Sequence, residues 1–267
     1  MCGRYTLMLA QDELEDRFGV RFASDGEQFS PRYNMAPGQD LPVITDETPT
    51  TIRELEWGLV PTWADDASGT RSGIINARAE TVDEKPSFRD AYRQATGADA
   101  ESAAMEQNAN DRKTPAAGRC LVPADGFYEW VETDDGKQPY RVAFEDDRPF
   151  ALAGLWVRRE RPQDETTQTG LDAFGGGAAE SDTDGAEPGP LETFTIITTE
   201  PNDLVADLHH RMAVILDPTD EQRWLSGEDP ADLLAPHPAA EMRAYPVSTA
   251  VNDPSIDSAS LVEPMSP

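Results

Sequence analysis

The chain has 267 residues, of which 51 are Asp or Glu and 22 are Lys or Arg, giving a formal net charge of −29 at pH 7. Two cysteines, at 2 and 120, without Cys-rich spacing exclude a disulfide framework, and no apolar run approaches the roughly 18 residues of a membrane span. With no apolar signal segment after Met1, a reducing cytoplasm is the expected compartment, and the length suits one domain with a sizeable core.

Along the chain, the periodicity predicts a helix over Gln11–Phe18, strands over 51–60 and 73–80, and a helix over Ser87–Gln94. Residues 94–118, rich in Ala, Asn, Asp and Gly, read as an acidic insertion. Strands follow over 119–131, 139–145 and 149–157. Residues 160–192 hold nine acids, one Arg and six Gly, too little apolar surface to order themselves, and read as a second solvated insertion. Then come a strand over 193–199, a helix over Asp203–His209, a strand over 211–216 and a helix over Asp220–Leu225. One domain over 1–253 and a tail over 254–267 are expected. Long helices do not alternate with strands, which argues against a doubly wound parallel sheet. The expected class is α+β: a curved, mostly antiparallel, barrel-like sheet flanked by short helices.

The chemistry starts at residue 2. Removal of Met1 would leave Cys2 with a thiol and a free α-amine on adjacent carbons, a 1,2-aminothiol that closes on aldehydes to a thiazolidine. With usual pKa values of about 8.5 and 7.7–8.0, modest tuning makes both groups nucleophilic near neutrality. In Asp125-Gly126-Phe127-Tyr128-Glu129-Trp130, strand alternation puts Phe127 and Glu129 on one face and Tyr128 and Trp130 on the other. Glu129 is then either a desolvated carboxyl with a raised pKa or an edge-strand carboxylate in water. His209 and His210 follow a short helix whose C-terminus favours a protonated imidazole. Without CxxC or HExxH no metal site or cofactor is expected. Asn76, out of place in a strand, must orient something if its amide is buried. Arg4, Arg78 and Arg211 suggest an anion pocket, ordinary ion pairing being the alternative for each. Trp57 reads as core and Trp63 as near the surface; Cys120 reads as a buried core thiol.

Eight segments in order carry a resemblance: Met1-Cys2-Gly3-Arg4, Arg32 to Pro37, Trp57 to Trp63, Asn76 to Thr81, Gly126 to Trp130, Ile196 to Thr198, His209 to Met212 and Val247 to Asn252. Together they resemble the SRAP family of abasic-site-processing proteins, over residues 1 to about 253. The resemblance implies a groove for single-stranded DNA containing abasic sites, and covalent capture of the ring-opened aldehyde by the N-terminal Cys. Carried over by motif, Cys2 is the nucleophile, Asn76 positions it, Glu129 is the general acid/base, and His209 rather than His210 assists ring opening and reversal. Arg4, Arg78 and Arg211 would hold phosphates, with Thr198, or Thr199 in a competing alignment, on the backbone. Trp63 would lie against a base, and Pro37 belongs to the same DNA-binding set. Ala213 stands where the family usually has Pro, and Thr249 where a basic residue often occurs. A monomer is expected.

Two other readings share these residues. An N-terminal-nucleophile peptidase would use the same Cys2, Glu129 and His209, and a non-enzymatic reader of modified bases would bind DNA without Cys2. The acid-rich, Lys-poor surface, with Lys at 85, 113 and 137, fits a cytosol of molar salt, where the Debye length falls to about 3 Å. An acidic surface that mimics or repels nucleic acid is the alternative.

Overall fold

The structure, a computed structural model, describes residues 2–23, 28–64, 73–93, 116–134, 136–160, 189–226 and 230–265. Most of both expected insertions lies outside the described residues. The elements begin with β1 (Tyr5–Leu7), α1 (Gln11–Phe18), β2 (Arg21–Phe22), β3 (Arg32–Met35), β4 (Asp40–Thr45), β5 (Thr51–Trp57), β6 (Asn76–Arg78) and α2 (Arg89–Arg93). Four longer strands follow: β7 (Ala116–Ala124), β8 (Gly126–Thr133), β9 (Gly136–Phe144) and β10 (Phe150–Arg159). The chain ends with β11 (Leu191–Thr199), α3 (Asp203–Ala206), β12 (Met212–Ala213), β13 (Ile215–Leu216), α4 (Pro218–Leu225) and β14 (Met242–Pro246).

Five strands close a barrel. β4 pairs antiparallel with β5 and β7, β7 with β10, and β10 with β11. A parallel contact of β11 with β5, Thr193 opposite Glu56 and Phe194 opposite Trp57, completes the ring. β6 adds to β11 in parallel, bringing Asn76 beside Ile196 and Arg78 beside Thr198. A second sheet runs β14-β9-β8-β1-β3. Tyr5 on β1 meets Trp57 edge-on at 5.2 Å, and Trp57 stacks on Phe194 at 6.2 Å, so aromatic packing joins the two sheets. The class is thus α+β, with largely antiparallel sheets and short helices.

The run 119–131, expected as one strand, is two strands in two different sheets. The break is Asp125, fully buried, whose carboxylate accepts from Thr6 Oγ1 (2.6 Å), the Met8 amide and Arg141 Nη2 (3.2 Å). Apolar alternation continues through this corner, so periodicity alone could not see it. Gly126 is required here: a Cβ would meet the Arg141 guanidinium at 2.7 Å. Breaking such a buried ion pair typically costs about 3–5 kcal/mol, so the corner is tightly held.

Helix α1 has the expected limits, opened by the Glu13 carboxylate accepting the Ala10 amide (2.9 Å) and closed by Gly19 at φ 66°. Sequence reading missed β1, β2, β3, β4 and β14. Four of these are too short for periodicity, and β4 contains Pro42, a strand breaker tolerated where β4 meets β7 only at Ile44 and Thr45. The expected insertions are trimmed at their ends: 116–118 belong to β7, and 191–192 to β11. Residues 254–265, expected as a tail, pack on the second sheet. Leu261 is buried with Tyr128, Val247 and Val251, and the Met265 amide donates to the Pro246 carbonyl (2.9 Å). Among the described residues no helix is long and apolar enough to cross a membrane.

Candidate active site

Strand alternation in β8 works as expected. Tyr128 faces the cluster with Val247, Val251 and Leu261, while Phe127 joins the main core. Glu129 therefore lies inward at 2 % exposure, and burial pushes it from the ordinary 4.5 up to about 7. Of the two environments open from sequence, the structure shows the desolvated one.

Cys2, just before β1, is fully buried. β1 runs antiparallel to β8, with Tyr5 opposite Phe127, which draws the chain start toward Glu129. Burial holds the Cys2 thiol well above its ordinary pKa, and the nearby Glu129 carboxylate raises it further. Its Sγ lies 4.0 Å from the Arg4 carbonyl.

His209 comes to the same place from the other side of the chain. Its amide bonds back to the Val205 carbonyl (2.8 Å), closing the turn after α3, and its Nδ1 lies 4.0 Å from Glu129 Oε2. Nδ1 lies 3.0 Å from the Arg211 amide, which donates to it in one tautomer, and 3.1 Å from the Arg211 carbonyl, which accepts from it in the other. Burial depresses the His209 pKa below the usual 6.5. The protonating influence expected from a helix C-terminus loses to desolvation, because α3 is a single turn of four residues. Glu129 and His209, with Trp130, Lys137 and Asn252, line a cavity of about 370 Å³.

Asn76 lies at the start of β6, beside β11. Its Nδ2 reaches the Ile196 carbonyl at 3.5 Å, and its Oδ1 is buried without a hydrogen-bond partner among the described residues. That orphaned acceptor leaves the amide able to orient a further donor. Arg78, in register with Thr198, is exposed.

Three residues expected at phosphates are occupied within the protein. Arg4 Nη1 donates to Asn34 Oδ1 (2.8 Å) and the Val251 carbonyl (2.6 Å), tying β1 to the turn that carries Asn252. Arg211 forks onto Glu80 (2.5 and 3.0 Å) and the Thr198 carbonyl (2.5 Å). Thr198 is 1 % exposed and donates to the Ala77 carbonyl (3.3 Å); Thr199 is buried as well. In contrast, Trp63 is 64 % exposed, while Trp57 and Cys120 are fully buried. Pro37 is exposed at a tight turn, the Gln39 amide returning to the Ala36 carbonyl with Gly38 at φ 81°, the conformation that calls for glycine after Pro. Neither Trp63 nor Pro37 lines the cavity.

Sequence reading passed over Lys137, Glu80 and Asn252. The signal for Lys137 was its rarity, one of three Lys in the chain. Asn252 receives the Trp130 indole N–H (2.7 Å), a pairing across 122 residues that no local pattern announces.

Residues 1–98 and 94–254 match the family described as SOS response associated peptidase (SRAP). The abasic site processing protein YoqW of Bacillus subtilis is 37 % identical over 98 % of this chain and 99 % of that protein. The abasic site processing protein YedK of Escherichia coli is 24 % identical over 99 % of this chain and all of its own. A solved structure from Bacteroides thetaiotaomicron, 26 % identical, aligns with a TM-score of 0.72 over 99 % of this chain and 100 % of that one. By the match to the family over residues 1–98 and 94–254 and to these relatives, the chain belongs to the SRAP family.

Proposed function

We propose that this protein captures abasic sites in single-stranded DNA through a covalent link to Cys2 once Met1 has been removed. The observation that carries the reading is that Glu129, brought from a distant segment, lies close enough to buried Cys2 to act on its thiol and 4.0 Å from His209, with which it lines one cavity. Glu129 takes the C1′ hydroxyl proton as the bond from C1′ to the ring oxygen breaks and returns it to that oxygen as the C4′ hydroxyl, with His209 hydrogen-bonding the ring oxygen, which opens the deoxyribose to its aldehyde. The Cys2 amine adds to that aldehyde, and protonated Glu129 assists departure of the carbinolamine oxygen as water. The thiol then adds to the imine carbon, its proton passing to the nitrogen, and the thiazolidine closes. Aldehyde and aminothiol become thiazolidine and one water. A carboxyl with a pKa of about 7 suits both directions of proton transfer.

Asn76 positions the reacting groups through its orphaned amide oxygen. Exposed Arg78 and Trp63 meet the strand, one at phosphate and one by stacking, with Pro37 at the rim. Arg4, Arg211 and Thr198 shape the groove from within. The protein acts as a monomeric domain, residues 254–265 packed onto it, in a salt-rich cytoplasm. There the −29 charge is screened, and a covalent bond persists where ionic attraction to DNA weakens.

Intact-protein mass spectrometry before and after incubation with abasic single-stranded DNA tests this. The expected product is protein lacking Met1 plus DNA less one water, absent with intact DNA and absent for Cys2→Ala. An undiminished adduct from Cys2→Ala, or cleavage of peptide substrates without any DNA adduct, would overturn the reading.

A further inference from the structure

We infer that Lys137 holds a backbone phosphate of single-stranded DNA at the mouth of the cavity that Glu129 and His209 line. The sugar inside that cavity is assigned by the capture reading above; the phosphate contact is argued from the cavity itself. Among the described residues that line it, Lys137 is the one Lys or Arg. Glu129 sits on the floor at 2 % exposure, so an anionic phosphate is repelled from the interior whenever that carboxyl ionises and is held at the rim.

Two arginines near the site are engaged within the protein, and exposed Arg78 does not line the cavity. Arg4 is committed to Asn34 and the Val251 carbonyl, and Arg211 to Glu80 and the Thr198 carbonyl. Lys137 faces Glu132 across the β8–β9 ladder at 3.9 Å, with both side chains well exposed at 66 % and 84 %. Such a solvated pair is weak and exchanges readily, and the four-carbon stem lets the ammonium swing from Glu132 to a phosphate. The Trp130–Asn252 hydrogen bond (2.7 Å) fixes two other side chains of the lining. In a chain of net charge −29, a lysine kept at this opening counters the repulsion where the DNA must enter.

The test uses the full chain and a short labelled strand in which a tetrahydrofuran replaces the abasic sugar. This analogue has no aldehyde, so fluorescence anisotropy reads binding without the covalent step. Lys137→Gln should weaken binding about fivefold and lower the slope of log Kd against log salt by about 0.7, the loss of one phosphate contact. Arg89→Gln on α2 removes the same charge away from the cavity and should stay within twofold of wild type. Replacing the phosphates flanking the tetrahydrofuran singly by neutral methylphosphonates should reproduce the loss at one position in wild type and add nothing to Lys137→Gln at that position. An unchanged affinity and slope, or a loss no larger than that of Arg89→Gln, would overturn the assignment. Cross-linking of the true abasic strand is scored separately. A missing adduct with the Lys137 effect intact would sink capture and leave the phosphate contact standing.

Discussion

β7 and β8 arise from one continuous apolar stretch, yet the first supplies the barrel wall and the second the candidate site. Cys120 on β7 and Glu129 on β8 are both buried, and burial raises the pKa of each. The acid beside Cys120, Asp46, is held by the Trp156 indole (2.8 Å) and the Arg119 amide (3.0 Å), within packed core. Glu129 instead has His209 at 4.0 Å and a cavity opening past Lys137. Desolvation alone makes an inert group. Each has a titratable neighbour, Asp46 for Cys120 and His209 for Glu129, and an opening to substrate is what separates the two strands.

The sharpest way to break that comparison is Glu129→Gln. Loss of a positioned acid/base should slow adduct formation about 100-fold, measured by quenched time courses on abasic DNA. Stability should move the other way. A carboxyl whose folded pKa is raised favours the protonated form, so its contribution is complete below 4.5 and lost as pH rises through about 7. The Gln variant escapes that loss and should exceed wild type by about 3 kcal/mol near pH 8, converging with it near pH 4. Denaturant midpoints that keep the same offset across this range would contradict the assignment.

A smaller effect belongs to the exposed surface. Trp63→Ala should weaken single-strand binding about tenfold, in the range of one lost base stack, with no change in Tm because the ring is 64 % exposed. A fall in Tm without loss of affinity would return Trp63 to a packing role. The smallest effect sharpens the contrast itself. Cys120→Ala should cost about 1 kcal/mol in chemical denaturation, as a small core truncation, and leave the adduct yield at the wild-type level. A lost adduct in that variant would mean that the two thiols do not divide as their surroundings indicate.

Much of the site was legible because it obeys local rules. Alternation put Glu129 opposite Tyr128, and the Gln11–Phe18 pattern marked α1 to its ends. The corner at Asp125 was invisible, since its reason is a set of partners at Thr6, Met8 and Arg141. The anion pocket read from Arg4, Arg78 and Arg211 was legible as residues but not as availability. Arg211 meets Glu80 across 131 positions and Arg4 meets Val251 across 247.

By itself the sequence determined the α+β class, the faces of the long strands and the identity of Cys2, Glu129 and His209 as reactive types, because side-chain chemistry and strand period are local properties. Tertiary structure decided that β5 and β11 close the barrel, that Glu129 is desolvated beside His209, and that Lys137 stands at the opening while Arg4 and Arg211 are spent inside. Burial and ion pairing depend on which distant segments meet, and that is settled only when the chain has packed.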